Sequence, residues 1–454
     1  MQHSHTPKGI DHAPARVHLS AFDGLLPTPS PAAHQSPAPP RAGPARVGTR
    51  QRVRAGGTGS GRARGPSALG IDAKYKHKAE KVDPDTGEVV TSPTPMERRI
   101  QRFIYQSIVR ELLPKSRTKN CLRVRQKGQQ VQVLKSVKHG TTSYSGLQTC
   151  GSVWQCPVCA AKISERRRVE VLHAMDAWKL EGGTVNLLTL TCPHQRSDDL
   201  GELLAKQAKA LNYFWKDRKT KAVLVEMGNT GHIKATEVTH GRLSPFDNGW
   251  HPHYHILMFD RCGAADEAQM QSWQSRLYLV WLTVCRLAGL GDPSYRHGIK
   301  LDNGERANQY ISKWGLEDEI TRGHTKKAIS GETPFDLLRA IQADPNDRQA
   351  AALFIEFATV FKGKRQLRWS KGLKARFAIE DKADEALADE KEDFAQVLGQ
   401  LTIGQWRDVL AVEGRGHLLM IASRGGWPAV TAYLVEIQGR GTVAKTGNSA
   451  HSDG

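Results

Sequence analysis

Acidic residues are the scarce class in this 454-residue chain: 46 Asp and Glu stand against 65 Lys and Arg, a formal charge of +19 with a pI near 9.7. A chain so short of negative charge favours polyanionic partners, because each neutralised phosphate releases condensed counterions, and nucleic acid is the expected class. Long apolar runs are missing too. No stretch approaches the roughly 18 residues that span a bilayer, and the first 30 residues lack the compact apolar core of a secretory signal. A membrane partner is therefore not expected, and a cytoplasmic setting is. Cysteine is limited to seven residues, an odd number without an export signal, which argues against a disulfide framework and leaves metal binding for any clustered thiols. The 39% hydrophobic content still supplies a domain-sized core and a smaller satellite.

Residues 1–70 hold ten of the 22 prolines and five His, but only Asp11 and Asp23 as acids. Such a segment buries too little apolar surface to offset its ordering entropy, so a disordered basic arm is expected. Order is predicted to begin at Thr94-Pro95-Met96-Glu97, which combines an N-cap, a proline at the first helical position and a capping-box Glu. A helix over 163–181 should end at Gly182-Gly183, and Thr184 to Thr191 reads as a strand closed by Pro193. A helix over 197–218 precedes two strands, 231–240 and 250–259, joined by a loop that suits an antiparallel hairpin. A helix near 266–289, a strand over 296–301 and a helix over 304–314 follow. Beyond 335 the pattern is mainly helical, with a flexible tail over 441–454. Strands alternating with helices, paired antiparallel, imply an α+β fold with helices on one face of the sheet.

Three segments carry chemistry. In Trp250-His251-Pro252-His253-Tyr254-His255, alternate side chains of a strand share a face, so His251, His253 and His255 project together. The hairpin brings Glu237 toward His253 and His255, a mixed nitrogen and oxygen set suited to Mn²⁺ or Mg²⁺ with positions left for a phosphate. On the helix that follows, Tyr310 and Lys313 lie three apart on one face. A phenol beside a metal-bound phosphate and a cationic amine becomes an accessible nucleophile. Finally, Cys156-Pro157-Val158-Cys159, with Cys150 six residues earlier, has the bite of a tetrahedral Zn²⁺ site, whose fourth ligand is Cys121 or His139. Cys192, Cys262 and Cys285 stand apart and read as free thiols.

In this order, the stretch Cys150 to Arg166 (CGSVWQCPVCAAKISER), Leu188-Thr189-Leu190-Thr191, Gly249 to Leu257 and Tyr310 to Lys313 resemble the rolling-circle plasmid Rep proteins, a branch of the HUH endonuclease superfamily. Similarity extends through Thr333-Pro334-Phe335 and Leu367 to Leu373, so it covers roughly residues 95–375. The resemblance implies a ferredoxin-like or RRM-like antiparallel sheet, with the histidine pair on a central strand and the tyrosine on an adjacent helix. It implies replication initiation by nicking a single-stranded or cruciform-extruded plasmid origin, leaving a 5′-phosphotyrosine and a 3′-OH that primes synthesis by host helicase and polymerase. His253 and His255 would then be metal ligands, Glu237 the third and His251 a further candidate. Tyr310 would be the nucleophile and Lys313 a stabiliser of the phosphate or metal site. The implied organisation is an N-terminal helix and Cys-rich zinc element over 93–182, an HUH nicking domain over 183–375 and a helical region over 376–440.

One position departs from the pattern. Where some relatives place a Glu one turn before the tyrosine, this chain has Arg306, and Glu305 lies about 140° round the helix from Tyr310. Two other readings compete: a non-enzymatic zinc-containing DNA-binding protein, and a relaxase or transposase of the same superfamily. Relaxases usually carry their tyrosine before the histidines, and single-tyrosine transposases are commonly shorter and lack the cysteine block.

Overall fold

Side-chain alternation along Trp250–Asp260 is what divides the molecule into layers, since every second residue of this strand feeds a different core. The computed structural model describes residues 80–82, 89–91, 94–244, 247–263, 265–313, 331–390 and 395–446. The basic arm expected over 1–70 lies outside the described residues. In chain order the elements are β1 (Glu80–Val82), β2 (Val89–Thr91), α1 (Pro95–Leu112), β3 (Val131–Ser136), β4 (Thr142–Ser145), α2 (Pro157–Leu180), β5 (Thr184–Thr191), α3 (Leu200–Lys216), α4 (Arg218–Glu226), β6 (Gly231–His240) and β7 (Trp250–Asp260). They continue with α5 (Glu267–Ala288), α6 (Tyr295–Gly298), β8 (Ile299–Asp302), α7 (Gly304–Lys313), α8 (Pro334–Ala343), α9 (Arg348–Val360), β9 (Leu367–Trp369) and α10 (Leu373–Arg376). Last come α11 (Asp384–Asp389), β10 (Ala395–Leu401), α12 (Ile403–Ala411) and α13 (Arg415–Thr446).

The main sheet has five antiparallel strands in the order β8-β5-β7-β6-β9, with the histidine strand at its centre. Tyr254, Ile256 and Met258 point into a core closed by α3, α4 and α5, through Phe214, Val223 and Trp281 among others. Leu257 and Phe259 point the other way, against Met175 and Trp178 of α2 and Ala307 and Ile311 of α7. The expectation of helices on one face is therefore corrected: both faces are covered. The physical reason is that Val185, Leu187, Ile233, Leu257 and Phe259 make the end of the second face beyond the histidines apolar, and an apolar surface must itself be buried.

A smaller sheet, β10-β3-β4, joins the two ends of the described chain. Val131, Val133 and Leu147 share one core with Phe103 of α1 and with Leu401, Trp406, Leu418 and Leu434 from the C-terminal part. The region read as helical over 376–440 thus contains a strand, Ala395–Leu401, whose pairing with Val131–Ser136 no local pattern announces. Its last helical run is broken at Gly426, whose backbone leaves the helical region (φ 63°, ψ −158°) just before Pro428.

Local signals hold where they are strongest. Thr94 Oγ1 accepts from the Glu97 amide while the Glu97 carboxylate accepts from the Thr94 amide, the reciprocal cap expected for α1. The helix predicted from 163 begins earlier, at Pro157, because Cys156 serves as its N-cap and proline is at home in a first turn. Asp217 ends α3 and caps α4, splitting the helix expected over 197–218 at its end.

Asp260, at the end of β7, is fully buried and accepts hydrogen bonds from Asn186 and Asn229, each at 2.8 Å. Burial pushes its carboxyl up to about 6 against the pull of those two amides. An unfolded Asp ionises near 3.9, so between about pH 4 and 6 the folded state alone keeps this proton, and stability falls as pH rises through that window. The loss, on the order of 3 kcal/mol, is complete above about pH 6. Asp260→Asn should therefore gain stability relative to the parent by about 2–3 kcal/mol between pH 4 and pH 7 in urea denaturation. A constant difference across that range would place the ionisation elsewhere.

Candidate metal centre and tyrosine site

Gly249 sets the entry to the histidine strand. Its φ is +71°, and a Cβ there would lie 2.8 Å from the Arg196 backbone, so both conformation and space call for glycine. Beyond it, Pro252 sits in the middle strand of the sheet, normally a poor place for a residue without an N–H. Here β5 ends at Thr191, opposite His253, so Pro252 pairs with Val238 of β6 where β7 has already lost its other neighbour.

Register then assembles the site. Glu237 of β6 lies directly opposite His253, and His255 lies opposite Ala235 on one side and Thr189 on the other. Glu237 Oε2 is 3.4 Å from the Nε2 atoms of both His253 and His255. One ligand atom from each of the three residues lies within 4.8 Å of the others, which fits a single divalent ion held by one oxygen and two nitrogens. Burial opposes ionisation of Glu237, but the hydrogen bonds from His253 and His255 outweigh it and hold the carboxyl well below the usual carboxylate range. The carboxylate is thus anionic, as a ligand must be.

The tyrosine comes to the same place from α7. Asn303 Oδ1 caps that helix at the amides of Glu305 and Arg306, and Ala307 and Ile311 bury its inner face against the sheet. Tyr310, on the same side, donates its phenol proton to Glu237 Oε1 at 2.5 Å, and its ring lies 4.5 Å from that of His255. The two oxygens of one carboxylate therefore face the imidazole pair and the phenol respectively. Lys313 closes α7, and its side chain lies outside the described residues. Glu305 and Arg306 are both exposed, and Arg306 reaches Gln309 at 3.3 Å.

His251 shares the face but not the ligand set. Its ring stacks on His194 at 4.7 Å, and burial, helped by repulsion from His253 and His194, pushes its pKa down to about 3. Sequence reading missed two residues that shape the site. His194 follows β5 and bonds the Asn248 carbonyl at 2.8 Å through Nδ1. Thr189 Oγ1 lies 3.0 Å from His255 Nδ1, leaving Nε2 toward the site. The Leu188-Thr189-Leu190-Thr191 alternation was the available signal, because it puts Thr189 and Thr191 on the histidine face. Thr189→Val keeps the shape and removes the hydrogen bond that orients the ring, so affinity for Mn²⁺ should fall about 10- to 100-fold in calorimetric titration. Unchanged affinity would show that the hydroxyl does not hold the imidazole.

The cysteine element is a separate centre. Cys121, Cys150, Cys156 and Cys159 are all buried, with sulfur separations of 3.4 Å (Cys121 to Cys159), 3.6 Å (Cys150 to Cys159) and 3.7 Å (Cys121 to Cys156). Four thiolates at about 2.3 Å from a tetrahedral Zn²⁺ stand about 3.8 Å apart, so this set fits the ion and is too long for disulfides. Cys121 is the fourth member, and His139 is exposed on the β3–β4 turn. The hydrogen bond between Cys121 and Cys150 drives the Cys150 thiol down and the Cys121 thiol up, while burial drives Cys156 up. Four crowded thiols do not all ionise without a cation. Gln106 Nε2 donates to Cys156 Sγ at 3.1 Å, and the fully buried Arg415 holds the other end of that amide at 2.6 Å. The cysteines Cys192 and Cys285 are buried free thiols, and Cys262 is exposed.

Fold and sites together define an α+β protein with an acid and two histidines on the central strands of an antiparallel sheet, a tyrosine brought to them by a helix, and a separate four-cysteine centre. Residues 145–263 match the model of the replication protein family. That match includes Cys150, Cys156, Cys159 and the histidine strand and ends before Tyr310. The chain is 27% identical to a protein called Protein rep from Streptomyces lividans, over 68% of this chain and 78% of that protein. It is also 31% identical to a neomycin resistance protein from Streptomyces cyanogenus, over 25% of this chain and 30% of that one. No solved structure matches. The resemblance to plasmid Rep proteins is thus borne out, and the matches support a plasmid replication initiator. No helix among the described residues is long and apolar enough to cross a membrane.

Proposed function

We propose that this protein initiates rolling-circle replication of a plasmid in the cytoplasm, nicking and rejoining one strand of its origin through Tyr310, on a fold of the HUH endonuclease type. The observation that carries the reading is the shared carboxylate: Glu237 faces His253 and His255 with one oxygen and Tyr310 with the other. A nucleophile and a metal-type ligand set meet there within one side chain. A bound Mg²⁺ or Mn²⁺ would supply Lewis-acid polarisation of a phosphoryl oxygen at this place.

The chain's own residues account for the remaining steps. Tyr310 Oη attacks the phosphorus, the bond from phosphorus to the 3′ oxygen breaks, and the strand is left as a 5′-phosphotyrosine and a free 3′-OH. The phenol gives up its proton and the departing oxygen takes one up, so charge balances. Glu237, held acidic, orients the phenol and is a weak acceptor for its proton. Rejoining reverses the exchange without a nucleotide cofactor, because the phosphotyrosine bond conserves the energy of the one it replaces. Lys313, one turn beyond Tyr310, is assigned to the phosphate by the resemblance alone. The 3′-OH would be handed to the host helicase and polymerase.

The test is incubation of the full chain with an origin-like single strand and Mn²⁺, followed by denaturing electrophoresis and peptide mapping. A denaturation-resistant adduct on Tyr310 is expected. Tight DNA binding with no adduct and no nicked product would leave a zinc-containing DNA-binding protein instead.

A further inference from the structure

The edge strand β9, paired with Ile233–Ala235, lines a large basic groove that the reaction above does not use. Its walls are the Cys-rich element around Pro114–Arg117 and Gly151–Gln155 on one side and the chain from Lys362 to Glu385 on the other, enclosing about 1130 Å³. This exceeds the roughly 300–1,000 Å³ of small-molecule pockets, so a polymer is the better fit. Eight Lys and Arg side chains line it against three acids. The acids are each paired: Glu385 with Arg117, Asp384 with Arg167 and Asp381 with Lys374. Among the described residues, Lys115, Lys362, Lys364 and Arg365 form no salt bridge, and all four are exposed. Their charge faces the groove uncompensated.

The sequence here is unusual in its own right. From Lys362 to Arg376, seven of 15 residues are Lys or Arg and none is acidic. Lys374 and Arg376 are used in ion pairs with Glu170, Asp381 and Glu181, which leaves the earlier cations of the run without such partners among the described residues. Its potential reaches into the sheet: beyond the effect of burial, Arg368 and Lys364 help push Lys234 down to about 8. Two indoles, Trp154 and Trp369, stand in the groove wall, and the Trp369 N–H is buried without a partner in the protein. A phosphate-binding surface interleaved with aromatic faces suits unpaired bases better than a closed duplex.

One wall of the groove belongs to the same sheet as the tyrosine site. Leu367 of its wall pairs with Ala235, and Ala235 pairs with His255, so the wall strand runs about 10 Å from the histidine strand, two strand spacings away. From this juxtaposition we infer that the groove between the Cys-rich element and β9 is a track for single-stranded DNA, holding the strand that continues from the bond cut at Tyr310. The inference rests on the reading of the chain as a DNA-nicking initiator for its biological sense, but not for its measurement.

Lys362, Lys364 and Arg365 are exposed, and the Lys364 carbonyl, which accepts from Trp154 Nε1 at 2.6 Å, survives truncation of its side chain. Changing all three to Ala should therefore leave the fold intact. Binding of a fluorescein-labelled 30-nucleotide oligothymidylate is followed by anisotropy in the full chain carrying Tyr310→Phe, without added divalent ion, from 0.05 to 0.3 M NaCl. Losing three phosphate contacts should lower affinity roughly 10- to 50-fold at 0.15 M and reduce the log–log salt slope by about 2. As a control, Lys216, Lys219 and Lys221 on α3 and α4 are changed to Ala, removing the same charge from the opposite layer. Equal loss in both triple variants, unchanged binding in the groove variant, or a loss confined to duplex DNA would overturn the inference. A parent chain that never nicks while its groove variant loses oligothymidylate would remove the nicking reading and keep the groove. A nicking chain with an unchanged salt slope would do the reverse.

Discussion

Tyr310→Phe is expected to abolish strand cleavage, by about 10⁴-fold or more, while leaving affinity for origin-like single strands within about twofold. The substitution removes one oxygen. The phenyl ring keeps its place against His255, at 4.5 Å between ring centres, and α7 keeps its buried face of Ala307 and Ile311. What disappears is the only atom in this arrangement that we assign to attack on phosphorus, together with its 2.5 Å hydrogen bond to Glu237. Releasing Glu237 from the phenol leaves its other oxygen still facing the two imidazoles, so affinity for Mn²⁺ should be kept or slightly raised. This split between lost cleavage and kept metal binding separates a nucleophile from a structural tyrosine, which would disturb both. Nicking by the Phe variant at more than a few per cent of the parental rate would rule Tyr310 out and direct attention to other hydroxyls or to water.

Removal of the metal from the cysteine centre is expected to have the largest effect on stability. The four sulfurs come from three stretches of chain, around Cys121, Cys150 and Cys156–Cys159, and each is at most 3% exposed. Without a cation the site leaves four thiols that must share protons at close quarters. Structural Zn²⁺ sites of this kind contribute on the order of 10–16 kcal/mol to the folded state, comparable to the whole stability of a domain. The centre also holds more than its own loops. Gln106, bonded to Cys156, is held in turn by Arg415, the first residue of the last helical run, so the C-terminal part would lean on an ion held there. Cys121→Ser should therefore purify with less than about a tenth of the parental zinc, and chelation of the parent should melt the β10-β3-β4 module first. Hydrogen exchange should show that loss in Val131–Ser136 and Ala395–Leu401 before the histidine strand. Zinc content or exchange unaffected by Cys121→Ser would return the fourth ligand to another residue.

Much of this was legible from local pattern. Alternation fixes which side chains of a strand share a face, so His251, His253 and His255 had to project together from Trp250–Asp260, and Tyr254 had to face away. Caps and breakers are equally local: Thr94 and Pro95 start α1, and Gly182 and Gly183 follow the end of α2, because each satisfies or denies backbone groups within a few residues. The cysteine spacing Cys156 to Cys159 is a single helical turn, which brings two sulfurs to one side. None of these needs the rest of the chain.

Other features depended on parts of the chain that meet only in the fold. Alternation offered three histidines, but stacking on His194, from the end of a different strand, sets His251 apart from the pair that faces Glu237. Spacing left Cys121 and His139 equal as a fourth ligand, until a turn between distant segments buried one and a β-turn exposed the other. Helices cover both faces of the main sheet because the apolar area on each side is a sum over five strands, and no single strand reveals it. Ala395–Leu401 is a strand only because Val131–Ser136 lies beside it, a pairing across more than 250 residues. Sequence alone determined the elements and the direction their reactive side chains point, since those follow from bonding over three or four residues. Tertiary structure decided which of those side chains meet, because that depends on the burial of surfaces that no neighbouring residue specifies.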